Sequence, residues 1–346
     1  MNNMQKIRIR FLLIFVLSIS LFQKCKPQTE IPSSLDGMLL CIEDLDGIGG
    51  SSSGNFSDIV AYDPISNKQY ILTSDVYYDD YPTYSSKTKK VYFESKRENY
   101  HPAVGLTATS HIYMLDLLTK KISLLDDMNL RKIFSLKNWE ELETPVISHQ
   151  GNILLFQYNW GDYKNNYDRL ILLNIQNYSY EYLFDSLSFS FRYVFSENDS
   201  DIVFDSQTNA KLKNRTKYIG LLNITTKKKK ILVIEKNIEN ELGDYKFNKI
   251  VFTSKKWNQE PNQASLFIYN ISTDKKHRIA SVSELGFREI KYPVFKDETS
   301  IYFIGSKDSP NPDTFDEDIY LLNIKTKEMK QITFTHNIKD NLRYYK

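Results

Sequence analysis

The stretch DIYLLNIKTKEMKQIT (318–333) decides the fold. Asp318 to Leu322 is a β-favouring run, Lys325 to Glu328 is polar turn material, and Met329 to Ile332 alternates again. A lone hairpin of this size is marginally stable in water, so it needs something to pack against. Five further stretches align with it without gaps: DIVAYDPISNKQYILT (58–73), HIYMLDLLTKKISLLD (111–126), RLILLNIQNYSYEYLF (169–184), YIGLLNITTKKKKILV (218–233) and SLFIYNISTDKKHRIA (265–280). The sixth residue of each is Asp or Asn: Asp63, Asp116, Asn174, Asn223, Asn270 and Asn323, spaced 53, 58, 49, 47 and 53 residues apart. An Asx at a strand end accepts hydrogen bonds from the backbone just ahead of it and opens a turn, so the match has a mechanism.

A second unit recurs between these hairpins. It is clearest in YPTYSSKTKKVYFES (81–95), ETPVISHQGNILLFQ (143–157) and KYPVFKDETSIYFIGS (291–306). It is looser in FRYVFSENDSDIVFDS (191–206) and NELGDYKFNKIVFTS (240–254). Four short antiparallel strands per period of about 50 residues is the arithmetic of a β-propeller. One four-stranded sheet cannot bury both faces, and blades stacked in a closed ring bury each other and protect their edges. Five blades are complete between residues 81 and 334. The remaining pieces lie at opposite ends: an inner strand at 341–346, a second strand at 37–42, and the hairpin 58–73. The expectation is an all-β, six-bladed propeller of four-stranded antiparallel blades spanning 37–346, its last blade closed by both termini.

The alternation of YPTYSSKTKKVYFESKR (81–97) with HIYMLDLLTKKISLL (111–125) resembles the Pro-x-Trp-Ser-Pro-Asp-Gly repeats of TolB-like β-propellers. The resemblance covers roughly 37–346 and implies a six-bladed periplasmic domain in bacteria. It is a likeness of fold rather than of activity. Tyr84 stands where the family has Trp, and Ser86-Lys87-Thr88 replaces Pro-Asp-Gly. Residues 26–36 leave no room for the family's separate N-terminal α/β domain, so its role in the Tol–Pal system is not carried over.

Lys6, Arg8 and Arg10 precede the apolar run Phe11 to Phe22, which has the length of a signal-peptide core and is short for a membrane span. Cys25 follows. Residues 1–24 are therefore expected to be a lipoprotein-type signal peptide, with Cys25 lipidated and 25–36 a tether. Ordinary secretion and a retained anchor are the other readings, since Gln23 and Lys24 stand where small residues are usual. The chain is expected in the periplasm or on the outer membrane. Charge is almost balanced, with 45 Lys+Arg against 43 Asp+Glu, which argues against nucleic acid as a partner. Two cysteines, Cys25 and Cys41, make no disulfide framework.

In a propeller the strand 1–2 and 3–4 turns share one face, and the strand 2–3 and blade-to-blade connections share the other. The first class is short here. The second is long, at 43–57, 96–110, 157–168, 206–217, 255–264 and 305–317, and the connection 127–143 has room for a short helix. Long loops on a rigid scaffold are where function concentrates. That face carries Trp139, Trp160 and Trp257, with Arg97, Tyr100, His101, Tyr163, Tyr167 and Lys256. Aromatic side chains beside charges suit a protein, peptide or glycan partner; equally, such Trp side chains pin loops to a ring. Asp79 and Asp80 line the central opening or cap a turn.

Sharper chemistry is weaker. Gly50-Ser-Ser-Ser-Gly54 matches G-x-S-x-G, but an all-β chain lacks the strand-to-helix turn that a nucleophilic Ser52 needs. Asp44 and Asp46 form a fragment of a calcium loop, and Asp308, Asp313, Asp316 and Glu317 from the next blade make a shared cation conceivable. Solvated acidic loops are the plainer account. His101 and His336 belong to the long-loop face while His149 and His277 fall in short turns of the other, a sparse set for a metal. Lys227 to Lys230 reads as a solvated turn. No cofactor, catalytic residue or metal ligand is assigned. The sequence points to a non-enzymatic envelope propeller that binds through its long-loop face. The alternatives are a propeller hydrolase or lyase with its site at the central opening, and a structural protein without a small ligand.

Overall fold

The computed structural model describes residues 30–45, 57–74, 77–97, 110–125, 141–162, 165–184, 192–208, 216–307, 316–335 and 337–346, with the backbone alone at 160–162, 165–168, 184 and 208. The chain enters the sheet structure with β1 (Leu39–Glu43), β2 (Asp58–Asp63) and β3 (Lys68–Ile71). Blade one is β4 (Asp79–Ser85), β5 (Lys90–Ser95), β6 (His111–Asp116) and β7 (Lys121–Leu124). Blade two is β8 (Glu141–Ile147), β9 (Ile153–Asp162), β10 (Asn165–Asn174) and β11 (Tyr180–Phe184). Blade three is β12 (Tyr193–Phe195), β13 (Asp201–Thr208), β14 (Thr216–Asn223) and β15 (Lys229–Val233). Blade four is β16 (Ile238–Lys246), β17 (Lys249–Lys256), β18 (Ser265–Asn270) and β19 (Lys275–Ser281). Blade five is β20 (Glu289–Asp297), β21 (Ser300–Lys307), β22 (Asp316–Asn323) and β23 (Met329–Gln331), and the last strand is β24 (Lys339–Tyr344).

Each blade is a four-stranded antiparallel sheet, and the sixth has the order β24-β1-β2-β3. The ring therefore closes by pairing the C-terminal strand with β1, as the leftover pieces implied. Register pairs Leu39 with Tyr344 and Leu40 with Arg343, so both closing strands lie about two residues from the expected ranges. The core is six apolar clusters, one in each gap between blades. The period of two in the second strand explains this: Val91 and Phe93 pack toward blade six, and Tyr92 packs toward blade two. Both faces of every blade are thus apolar, and each fully buried Phe or Leu contributes about 2–3 kcal/mol.

The six Asx turns form as the repeat predicts. Asp63 Oδ1 accepts Ile65 N–H at 2.9 Å, Asp116 Oδ1 accepts Leu118 and Thr119 N–H at 2.9 Å, and Asn174 Oδ1 accepts Gln176 N–H at 2.9 Å. Asn223, Asn270 and Asn323 act alike on Thr226, Thr273 and Lys325.

Three expectations shift. The expected loop 157–168 is strand at 157–162 and 165–168, where β9 and β10 continue in a ladder whose last pair is Asp162 with Asn165; 163 and 164 lie outside the described residues. The alternating Tyr, Trp and Asn of this run pair across the strands, which the polar composition and Gly161 concealed. His277 lies within the exposed outer strand β19 rather than in a turn. Part of the segment expected as a tether packs on the ring. Leu35 is fully buried between blades six and one, Asp36 pairs with Lys89 at 2.6 Å, and Ile31 O accepts a hydrogen bond from Lys120 Nζ. These contacts bring the N-terminal segment onto the short-turn face. The possible helix in 127–143 lies outside the described residues up to 140, and β8 begins at Glu141.

Candidate functional site at the ring axis and the long-loop face

The inner strands are bulged where they line the axis. Register shifts occur in β4 after Asp80, in β8 after Glu143 and in β20 after Lys291. At each of these bulges a non-glycine residue takes the left-handed conformation: Tyr81 (φ 48), Thr144 (φ 51) and Tyr292 (φ 48). Asn341 (φ 53) does so in β24. Each costs about 1 kcal/mol or more and must be held by its surroundings. In the first three the next residue is Pro82, Pro145 or Pro293, which has no N–H for the broken ladder to leave unpaired. Blade four carries Gly243 at the same place, where a Cβ would collide with Pro293 O.

Second-strand carboxylates hold the bulges of β8 and β16. Glu94 Oε2 accepts Thr144 N–H of the next blade at 3.2 Å, and Asp205 Oδ2 accepts Leu242 N–H at 3.1 Å. Glu94 stands directly opposite Asp80 in the register. Asp80 is 5 % exposed; its Oδ2 accepts Tyr78 O–H at 2.8 Å and its Oδ1 accepts Tyr81 N–H at 2.7 Å and the Asn341 amide. Burial, reinforced by the charge of Asp340, pushes its pKa up to about 6. Burial and the neighbouring Asp80 charge raise Glu94 as well. Two carboxyls so placed can share a proton near neutrality, the property that general acid–base chemistry uses. Their hydrogen bonds also serve the bulges, which is a structural role.

Asp79 is fully buried, takes a hydrogen bond from Ser95 Oγ at 2.5 Å, and is paired with Arg97. Arg97 lies 5.1 Å from the Tyr77 ring centroid and 5.8 Å from that of Tyr113. Both residues are thus parts of one packed unit at the edge of blade one. Neither Asp79 nor Asp80 caps a turn; both lie in β4.

Trp160 lies in β9, at a register position opposite Tyr167 of β10. Trp257 follows β17, is half-buried, and donates its backbone N–H to Asn237 O at 2.8 Å. Lys256 ends β17 and is exposed. Trp139, Tyr100, His101, Tyr163 and His336 lie outside the described residues, as do Ser52, Asp46, Asp308 and Asp313. His149 Nδ1 meets Asp199 at 2.9 Å on the short-turn face, joining blades two and three.

Near the proposed shared cation the chain supplies its own positive charge. Lys339 is fully buried. Its Nζ donates to Glu317 O at 2.8 Å and Thr335 Oγ1 at 2.7 Å, and stands 3.5 Å from Glu43. Lys291 pairs with Glu317 at 2.8 Å. Asp44 donates its N–H to Ile338 O at 3.1 Å. Sequence reading missed this cluster, because Glu43 and Lys339 are 296 residues apart and each alone looks like a surface charge.

The ring superposes on known structures. TolB from Acinetobacter baumannii superposes with a TM-score of 0.63 at 12 % identity, over 90 % of this chain and 67 % of that one. A putative TolB from Agrobacterium tumefaciens gives 0.57 at 12 % identity, over 87 % and 90 %. The chain has the TolB-like propeller fold. An oligogalacturonate lyase from Vibrio parahaemolyticus also aligns, with a TM-score of 0.52 at 13 % identity over 89 % and 78 %. At such identities the TolB-like likeness concerns the fold alone. No family model matches the sequence, and no curated protein does.

Proposed function

We propose that this TolB-like propeller is an exported, envelope-located binding protein that engages a protein, peptide or glycan through its long-loop face. The observation that carries this reading is the hairpin of β9 and β10. Its ladder has ten pairs, against eight in β13–β14 and β21–β22 and six in β5–β6 and β17–β18. At a rise of about 3.4 Å per residue it projects roughly 7–14 Å further than its counterparts. It carries Trp160 and Tyr167 at paired register positions near its end. Aromatic residues on a pre-organised element give contact area at low entropic cost. The N-terminal segment supports the orientation. It meets the ring at the short-turn face, so a lipid on Cys25 would hold that face to the membrane and turn the long loops outward.

The test uses the full chain purified in detergent as bait for envelope extracts, beside Trp160→Ala/Trp257→Ala. The double variant should lose the specifically retained partner while melting as the wild type does. Recovery of the same partners by both proteins would place the site elsewhere.

The raised carboxyls of Asp80 and Glu94 favour a second reading, a hydrolase or lyase working at the axis. Under it, Asp80→Asn would abolish turnover of acidic oligosaccharides, the class named by one of the structural neighbours. Under the first reading it would leave partner capture intact.

A further inference from the structure

Arg192 reaches across the inside of the ring. It opens the inner strand of blade three, and its Nη2 donates to Leu342 O of blade six, across the ring, at 2.7 Å. Its guanidinium lies 4.6 Å from the centroid of the Tyr292 ring. The residue is 7 % exposed and its Nε has no hydrogen-bond partner. Among the described residues no carboxylate makes an ion pair with it. The two carboxylates that influence it, Asp205 and Asp244, are turned to main-chain amides. Asp205 accepts Arg192 N–H at 3.0 Å and Leu242 N–H at 3.1 Å; Asp244 accepts Tyr245 N–H at 2.9 Å and Phe295 N–H at 3.0 Å. Burial, with the nearby charge of Arg343, lowers its pKa to about 10. A buried guanidinium with carboxylates near it but none in direct contact is costly, because their attraction only partly offsets its loss of water.

Arg192 is also the floor of a cavity of about 340 Å³ that opens among the short turns. All six blades line it; Lys246, Lys296, Arg343 and Lys346 join Arg192 there, against the two carboxylates Glu197 and Asp244, so the basic side chains outnumber the acidic ones. Lys246 Nζ is held by Tyr344 O at 3.1 Å. The volume falls at the small end of the range for small-molecule sites, and the planar guanidinium among the lining side chains is a group that recognises a carboxylate or phosphate.

We propose that this cavity binds a small anionic molecule whose carboxylate or phosphate group completes the hydrogen bonding of Arg192. The site lies at the opposite end of the axis from the long loops and does not depend on what they bind.

The full chain in detergent is titrated with inorganic phosphate, succinate and the uncharged succinamide at constant ionic strength, read by calorimetry and by melting temperature. Succinate or phosphate should bind saturably and raise the melting temperature, and succinamide should not. Preference for succinate or for phosphate tells which anion the site was built for. Arg192→Gln should weaken binding about tenfold or more, the loss of one charge-assisted hydrogen-bonding group. If that variant does not fold, Lys296→Ala/Arg343→Ala decides, with several-fold weakening expected. Absence of saturable binding to the wild type overturns the proposal and leaves Arg192 a structural residue. So does an affinity that neither set of substitutions changes.

Discussion

Leu342→Ala tests the closure of the ring. Leu342 is fully buried in β24 and belongs to the apolar cluster between blades five and six, with Leu39, Val294 and Ile304. Removing its side chain leaves a cavity lined by rigid strands of two blades, which cannot collapse without shifting both. The expected loss is about 3 kcal/mol, within the ~2–5 kcal/mol range for such truncations. For a ring of this size 1 kcal/mol shifts the melting temperature by about 2 °C, so the variant should melt about 6 °C lower. The control is Leu118→Ala, at a side chain that is 64 % exposed, where the change should stay within about 1 °C. Circular dichroism or calorimetry reads both. Deleting 341–346 should act in the same direction and more strongly, since it also strips the partner from β1 and exposes its edge. If Leu342→Ala and the deletion both melt with the wild type, the last strand does not close the sixth blade.

Two further outcomes follow from the axis and the turns. The Asp80 carboxyl titrates near 3.8 when unfolded and near 6 in the ring, so between these values the folded chain holds a proton the unfolded chain has lost. Stability should therefore fall as pH rises from about 4 to about 6, by roughly 2–3 kcal/mol, and Asp80→Asn should flatten that slope in melts at pH 4.5 and 7.5; an unchanged slope refutes the assignment. Asn323→Ala removes the acceptor for Lys325 and Thr326 N–H and should cost about 1 kcal/mol in chemical denaturation, whereas no change would mean the side chain does not stabilise its turn.

What was legible in the sequence was what the chain repeats. The Asx turns, the two-residue alternation of Val91, Tyr92 and Phe93, and the leftover strands at the two ends follow from local chemistry and counting. Each involves residues within a few positions of one another, or a deficit that only one partner can fill. The projecting hairpin was harder: Gly161 and a run of Asn looked like loop, and only the ten-pair register revealed strands.

The local pattern thus determined the blades, their number and the way the ring closes. What each axial residue does was decided by the tertiary structure alone. Arg192 meets a carbonyl 150 residues away, Lys339 meets Glu43 across the closing seam, and Asp80 meets Asn341 from the far end of the chain. Such contacts leave no spacing in the sequence, because ring closure brings together residues whose separation along the chain carries no periodicity. Burial then changes their chemistry, turning ordinary charged residues into a raised carboxyl and an arginine short of a partner.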